Sequence, residues 1–439
     1  MTDLYTRIGS WVRPSARRQM RDFAVLGAAG QVEAVLSLAA TAVLVRLTGA
    51  AGAGEVLLAQ SMAAVWALLC DPRLGDAAQR FVPVQEAGDA GGGTWLFRRL
   101  LRLDALIGLA GAALGVTLVT VAGQAGAAPP GPASLLVLAL LYQGGTASRG
   151  TSAAGFAIAG KLELLGRLRL GFAVLSCAAT VTALVLGGPV AYLAAMASAA
   201  AVTTAVLAVL ARRAVGAKLG PAPRGPRRAP AGLARFAVTT SAATCVSLAS
   251  DNGILTLAGL LGGPSLVTFL KIAAAPGRLF LATVSTVTAQ LYPRLASAAV
   301  RGDAGAIRRD VLRATVPLTV LGVAAAGLAL PLARPALALV YGPAYVTLAT
   351  ATLVLLAAGC VRGAVVWAKV LPLAVGRPAV RLVAVATEGV LLTGALLLAL
   401  HLTAGPEAAA RAYALGALAV AVLFAAGWLA LLRPLAGRP

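Results

Sequence analysis

The chain has 439 residues, 59% of them hydrophobic and 12% charged, with a mean hydropathy of +0.88 and a formal net charge of +22. A soluble domain carries roughly twice that density of charge, so a water-soluble fold is excluded, and no aromatic-basic interleaving marks a nucleic-acid face. The basic excess fits a bilayer instead, where Lys and Arg collect in the loops kept in the cytoplasm and meet anionic headgroups.

Residues 1–23 are basic and mixed, without a short apolar core before a cleavage site, and read as a cytoplasmic lead-in. Apolar stretches follow at 24–46, 55–71, 100–122, 132–158, 170–187, 190–212, 234–261, 264–292, 311–333, 344–374, 379–403 and 408–433. Most approach or exceed the ~20 residues a spanning helix needs. Basic residues fill every second gap: Arg73 to Arg102 in the second, Lys161 to Arg169 in the fourth, Arg212 to Arg235 in the sixth, Arg294 to Arg313 in the eighth, Arg377 and Arg381 in the tenth. The other gaps hold Arg46, Arg334 and Arg411 alone. This pattern predicts an all-α polytopic membrane protein of about twelve transmembrane helices with both termini inside. Cys70, Cys177, Cys245 and Cys360 have no metal-ligand spacing and read as small packing residues, while His401 sits near an outer helix end.

The chain also echoes itself at an offset of roughly 210–214 residues. Phe23-Ala24-Val25 returns as Phe236-Ala237-Val238, and Ala78-Gln79 with Phe81 and Pro83 returns as Ala289-Gln290 with Tyr292 and Pro293. Gly88-Asp89-Ala90-Gly91 returns as Gly302-Asp303-Ala304-Gly305, and Arg98-Arg99 with Arg102 as Arg308-Arg309 with Arg313. The expected organisation is a six-helix bundle over 24–212, a Pro/Gly/Arg-rich cytoplasmic linker over 213–233, a second bundle over 234–433 and a tail over 434–439. An even number of spans per half makes the repeats parallel, an arrangement found in secondary transporters with a site between bundles near the midplane.

Inside the expected spans, Glu33, Arg149, Asp251, Lys271, Arg278, Arg362, Lys369 and Glu388 stand out. Each costs about 2.5–3.5 kcal/mol at mid-bilayer on insertion scales, so each should face a partner or a water-filled cavity. Lys271 and Arg278 are seven apart, as are Arg362 and Lys369, which places each pair on one helix face. Arg149, Lys271, Arg278, Arg362 and Lys369 are thus candidates for binding an anionic substrate. The structural alternative pairs Asp251 with Lys271 or Arg278, Glu388 with Arg362 or Lys369, and Glu33 with Arg149. Five bases against three acids leave an excess of positive charge. Glu33, Asp251, Asn252 and Glu388 are candidates for coupling H+ or Na+, or for charge pairing; no other cofactor and no metal site is expected. Asp251-Asn252-Gly253 and Ala275-Pro276-Gly277 should interrupt the seventh and eighth spans, making Gly253, Pro276 and Gly277 hinge or kink candidates. No Walker loop, nucleophile elbow, HExxH or paired CxxC occurs, which argues against an enzyme.

Several segments resemble bacterial polysaccharide repeat-unit flippases of the multidrug/oligosaccharidyl-lipid/polysaccharide exporter superfamily. Arg46-Leu47-Thr48-Gly49 followed by Gly54 is similar to their RLLG segment, and Asp71 through Arg80 to a second segment. Leu291-Tyr292-Pro293-Arg294-Leu295-Ala296 with Gly302-Asp303, then Tyr341-Gly342-Pro343-Ala344-Tyr345 and Gly376-Arg377-Pro378, follow in family order. The resemblance implies two bundles in a V around a central cavity, in a bacterial cytoplasmic membrane. It implies transfer of undecaprenyl-diphosphate-linked glycan from the inner to the outer leaflet. Membrane lipids, glycan polymerase and glycosyltransferases are the partners expected of a chain acting as a monomer. Two rival functions stand beside it: a cation-coupled drug or metabolite antiporter on the same scaffold, and a non-transporting scaffold of a glycan-assembly complex.

Overall fold

The computed structural model describes residues 16–126, 131–222 and 228–436, all-helical apart from short turns. Among these residues the chain forms twelve rods, six on each side of a connection over 220–232, shorter than the expected 213–233 because the sixth rod stays helical through Leu219 and the seventh begins at Leu233. The first six are α1 (16–48), α2 (50–70, continued by Leu74–Gly88), α3 (Gly92–Gln124), α4 (Ala133–Thr146 and Arg149–Ala159), α5 (162–186) and α6 (189–219). The second six are α7 (Leu233–Gly262), α8 (Pro264–Val300), α9 (Ala304–Val340), α10 (Pro343–Leu348 through Leu371–Ala374), α11 (Pro378–Leu402) and α12 (Pro406–Ala436). Each apolar stretch of the sequence coincides with one rod.

Local chemistry sets the ends. Gly49 at φ 72° and Gly188 at φ 68° turn the chain between rods where a side chain would be strained. Proline opens α8, α10, α11 and α12, where its missing N–H costs nothing. Glu86 accepts from the Gly91 and Gly93 amides before α3, each at 2.9 Å, and Asp303 accepts from the Ala306 amide at 2.8 Å to cap α9.

The rods carry their apolar residues outward. Leu186, Leu339, Leu69 and Val390 are 70–82% exposed, an arrangement a soluble protein avoids and lipid favours. Eight helical stretches among the described residues are long and apolar enough to cross a bilayer. The chain is a multi-pass membrane protein.

The rods divide into two compact units, which do not follow the linker alone. The N-terminal unit holds the chain through Leu36 and then Ala59–Cys245; the C-terminal unit holds Ser37–Leu58 and the chain from Val246. In the N-terminal unit, Leu96, Phe97, Leu100 and Phe156 form the core with Ala237 at the start of α7. Phe81 and Phe236 stack edge-on at 5.7 Å, with the Arg80 guanidinium 4.7 Å from the Phe236 ring. In the C-terminal unit, Trp367 and Trp428 meet edge-on at 6.4 Å inside one core, and Phe280, Val284 and Leu318 build another.

The 37–58 hairpin is seated in the C-terminal unit by direct bonds. Thr268 Oγ1 donates to Ala50 O at 2.8 Å, and Arg46 Nε donates to Val340 O at 2.9 Å, capping the negative end of α9. A Cβ on Gly54 would lie 2.0 Å from Pro264 O, so hairpin and α8 backbone touch.

The expected interruptions differ from the structure. The backbone is helical across 251–253 and across 275–277, so neither triplet is a break in its rod. Gly253 has open space around it, whereas Gly277 is a packing position. The real breaks in helical order lie at 71–73 in α2, 147–148 in α4 and around Val365 and Val370 in α10.

Candidate functional site

The C-terminal unit encloses a cavity of about 380 Å³ walled by α7, α8, α10, α11 and α12. Its construction begins with two glycines. A Cβ on Gly277 would stand 2.9 Å from Leu355 O, and one on Gly359 would stand 3.0 Å from Gly277 Cα. Two bare backbones can therefore approach where larger residues would hold α8 and α10 apart. That approach places Arg278, the next residue on α8, and Arg362, three residues on along α10, in the same cavity wall.

Lys369 joins them because α10 does not continue as an α-helix. After Val365 the chain tightens into a 3-10 turn over Val366–Lys369 before Leu371 restarts the α-helix. From α11 come Arg381, Ala384, Val385, Glu388 and Leu392, spaced as one helix face. The residues between them, such as Val383 at 64% and Val390 at 70% exposure, point outward. α12 contributes a stripe of Tyr413, Ala417, Ala421, Phe424 and Trp428, which is apolar apart from the tyrosine hydroxyl. The cavity thus has a cationic wall and a mostly apolar one.

Among the described residues, four cations, Arg278, Arg362, Lys369 and Arg381, face one carboxylate, Glu388. Arg362 Nη2 lies 2.8 Å from Glu388 Oε1, and each side chain is 28% exposed. Among the described residues, Arg278, Lys369 and Arg381 meet no carboxylate at ion-pair distance. A dry, unpaired charge at mid-bilayer costs about 2.5–3.5 kcal/mol; Arg278 and Lys369 are exposed and line the cavity, a place where solvent offsets that cost.

The remaining sequence candidates lie elsewhere. Arg149 opens the second piece of α4 in the N-terminal unit, where its Nε donates to Thr204 Oγ1 at 3.3 Å. Glu33 pairs with Arg169 rather than with Arg149. Lys271 lies on α8 but is not part of the cavity wall that holds Arg278. Asn252 sits on α7, its carbonyl accepting from Thr256 Oγ1 at 3.0 Å; the side chain of Asp251 lies outside the described residues. Of the five bases expected in one chamber, the structure brings together Arg278, Arg362 and Lys369.

Two residues escaped the sequence reading. Arg381 counts with the basic residues of the tenth gap although the stretch 379–403 includes it; α11 starts at Pro378 and carries it into the cavity. Its seven-residue spacing from Glu388 was the available signal. Asp104, 3% exposed in α3, accepts a hydrogen bond from the fully buried Thr151 hydroxyl. It is the acidic residue inside the third apolar stretch, and the test that selected Glu33 selects it too. The cysteines are free: Cys245 Sγ donates to Leu68 O at 2.8 Å and Cys177 Sγ to Leu36 O at 3.6 Å, as packing residues would.

No family model matches the sequence, and no curated protein matches it. Solved structures do. An inward-facing multidrug resistance MATE family transporter of the MOP superfamily is 14% identical, with 92% of this chain and 95% of that one covered at a TM-score of 0.66. An outward-facing structure described in the same words is 14% identical over 98% of both chains, at a TM-score of 0.61. A Vibrio cholerae MATE transporter is 15% identical over 96% of this chain and 99% of its own, at a TM-score of 0.60. At these identities the likeness is one of architecture: the chain has the fold of the MATE transporters of the MOP superfamily.

Proposed function

We propose that the chain is a membrane transporter working by alternating access, and that the C-terminal unit binds the negative charge of its cargo. The observation that carries the reading is the cavity in which, among the described residues, Arg278, Arg362, Lys369 and Arg381 face the single carboxylate of Glu388. A cavity of about 380 Å³ lies in the size range of small-molecule sites. It fits the head of a cargo, such as a diphosphate with an attached sugar, rather than a whole oligosaccharide.

The cargo we infer is a polyprenyl-diphosphate-linked oligosaccharide unit, moved from the inner to the outer leaflet of a bacterial cytoplasmic membrane. Its support is the order of flippase-like segments in the sequence together with the cationic wall. A cation-coupled drug or metabolite antiporter is the second reading, and the comparisons back it more directly, because the similar structures are described as multidrug resistance transporters. The net positive wall favours an anionic compound over a cationic one in that case as well. A non-transporting scaffold would leave its buried charges paired, whereas three cavity cations have no carboxylate partner among the described residues.

Reconstitution in vesicles separates the readings. Leaflet transfer of a defined polyprenyl-diphosphate-linked sugar, lost at least tenfold in Arg278→Gln and Lys369→Gln, supports the flippase. Accumulation of a soluble drug with no lipid-linked transfer assigns the antiporter. Transport that neither variant alters, with normal insertion, removes the cavity from the cargo's path.

A further inference from the structure

We propose that Glu388 is a tethered competitor for the cargo's negative charge: it occupies the Arg362 guanidinium until an anion enters the cavity and displaces it. The inference rests on the anionic-cargo reading and assigns a specificity-determining role within that site. Three observations carry it.

The first is the form of the pair. Arg362 Nη2 is 2.8 Å from Glu388 Oε1, yet Nη2 and Nε, both shielded from solvent, have no aligned hydrogen-bond acceptor. A guanidinium offers a rigid fork of donors suited to two parallel bonds to a carboxylate or phosphate. Here the carboxylate supplies charge without filling the fork, so a phosphate aligned with it would gain hydrogen bonds that Glu388 does not make.

The second is access. Both side chains are 28% exposed, and both line the cavity rather than a sealed core. An incoming anion therefore meets the exposed part of the pair without the unit unfolding, and gains the shielded Nη2 and Nε as Glu388 moves aside. The third is the surroundings. Arg278 on α8, Lys369 on α10 and Arg381 on α11 face the same space, while α12 brings Tyr413 and otherwise apolar side chains. A displaced carboxylate stays within a cationic field and needs no new partner made for it.

The consequence is a threshold. A cargo must offer Arg362 more than one carboxylate does, in charge and in geometry, before it is held. A dianion of the phosphate-ester or diphosphate class meets that demand. A monoanion meets it less well, and a neutral or cationic compound leaves the pair closed. Removing the competitor should therefore raise affinity for anions, and for dianions at least as much as for monoanions, because the attraction gained scales with the charge of the ligand.

The test uses the full-length chain in detergent, with inorganic pyrophosphate and acetate as probes and calorimetric titration as the readout. Glu388→Gln should bind pyrophosphate about tenfold tighter than the parent, a gain at least as large as that for acetate. In an Arg362→Gln background, the same Glu388→Gln change should alter affinity by less than twofold, because the contested group is gone. An unchanged or weaker affinity in Glu388→Gln overturns the inference, as does an equal gain with and without Arg362. Should Glu388→Gln fail to fold while the double variant folds, the pair is a structural strut and the inference falls. If the parent chain binds pyrophosphate but Arg278→Gln and Lys369→Gln bind it equally well, the anionic-cargo reading itself fails. Absence of pyrophosphate binding in every protein has the same meaning.

Discussion

The two units treat their internal charges in opposite ways. In the N-terminal unit, Arg149 meets Thr204, Glu33 meets Arg169 and Asp104 meets Thr151. In the C-terminal unit, Arg278, Lys369 and Arg381 face a cavity without a carboxylate partner among the described residues. Arg149 and Arg362 sit beside the breaks of α4 and α10, at the offset separating the echoed segments. The two arginines keep different company: Arg149 is bonded to a hydroxyl, and Arg362 is paired with a carboxylate. A repeat preserves where a charge sits; its neighbours decide what that charge can do.

The comparison breaks first at the glycines. Gly277→Ala pushes a Cβ against the Leu355 carbonyl and should destabilise the C-terminal unit by about 1–3 kcal/mol. A thermal melt with pyrophosphate titration checks this, and unchanged melting and binding would remove the close approach of α8 and α10 as the basis of the cavity. Next comes the contrast between units. Arg278→Gln should lower transport at least tenfold, about 1.4 kcal/mol, while Arg149→Gln changes it less than threefold. Equal losses in the vesicle assay would erase the functional distinction between the two copies.

A smaller effect sharpens the N-terminal side. Thr204→Val removes the acceptor for Arg149 Nε and should cost about 1 kcal/mol, read as a lowered melting temperature with transport retained. The smallest effect belongs to the Glu33–Arg169 pair, whose members are 39% and 38% exposed. Glu33→Gln should shift stability by no more than about 1 kcal/mol, since solvent already screens much of the attraction. A loss of transport without loss of stability would instead give Glu33 a part in ion coupling.

Much of the architecture was legible because bilayer thickness and the placement of Lys and Arg act on composition alone. The site was legible only in part. Arg278 and Glu388 stood out as charges in apolar stretches, and the structure puts both on the cavity. Lys271, on the expected face with Arg278, does not line it, since which length of a face meets a void depends on neighbouring rods. Lys369 reaches the cavity through a 3-10 turn that the helical spacing from Arg362 does not reveal. Gly277 was read as a flexible point because a Pro-Gly pair weakens an isolated helix. In the fold its lack of a side chain serves the approach to Gly359. The preference of Glu33 for Arg169 over Arg149 is a matter of tertiary distance, for which spacing along the chain offers no rule.

The seating of Ser37–Leu58 among C-terminal rods also bears on how the molecule is made. Synthesis delivers this hairpin long before α8 and α9 exist, so its docking surfaces at Ala50 and Gly54 must stay unclaimed until Pro264 and Thr268 emerge. Neither half of the gene, expressed by itself, encodes a complete C-terminal unit; the late helices must wait for, and be finished by, a piece of the earliest.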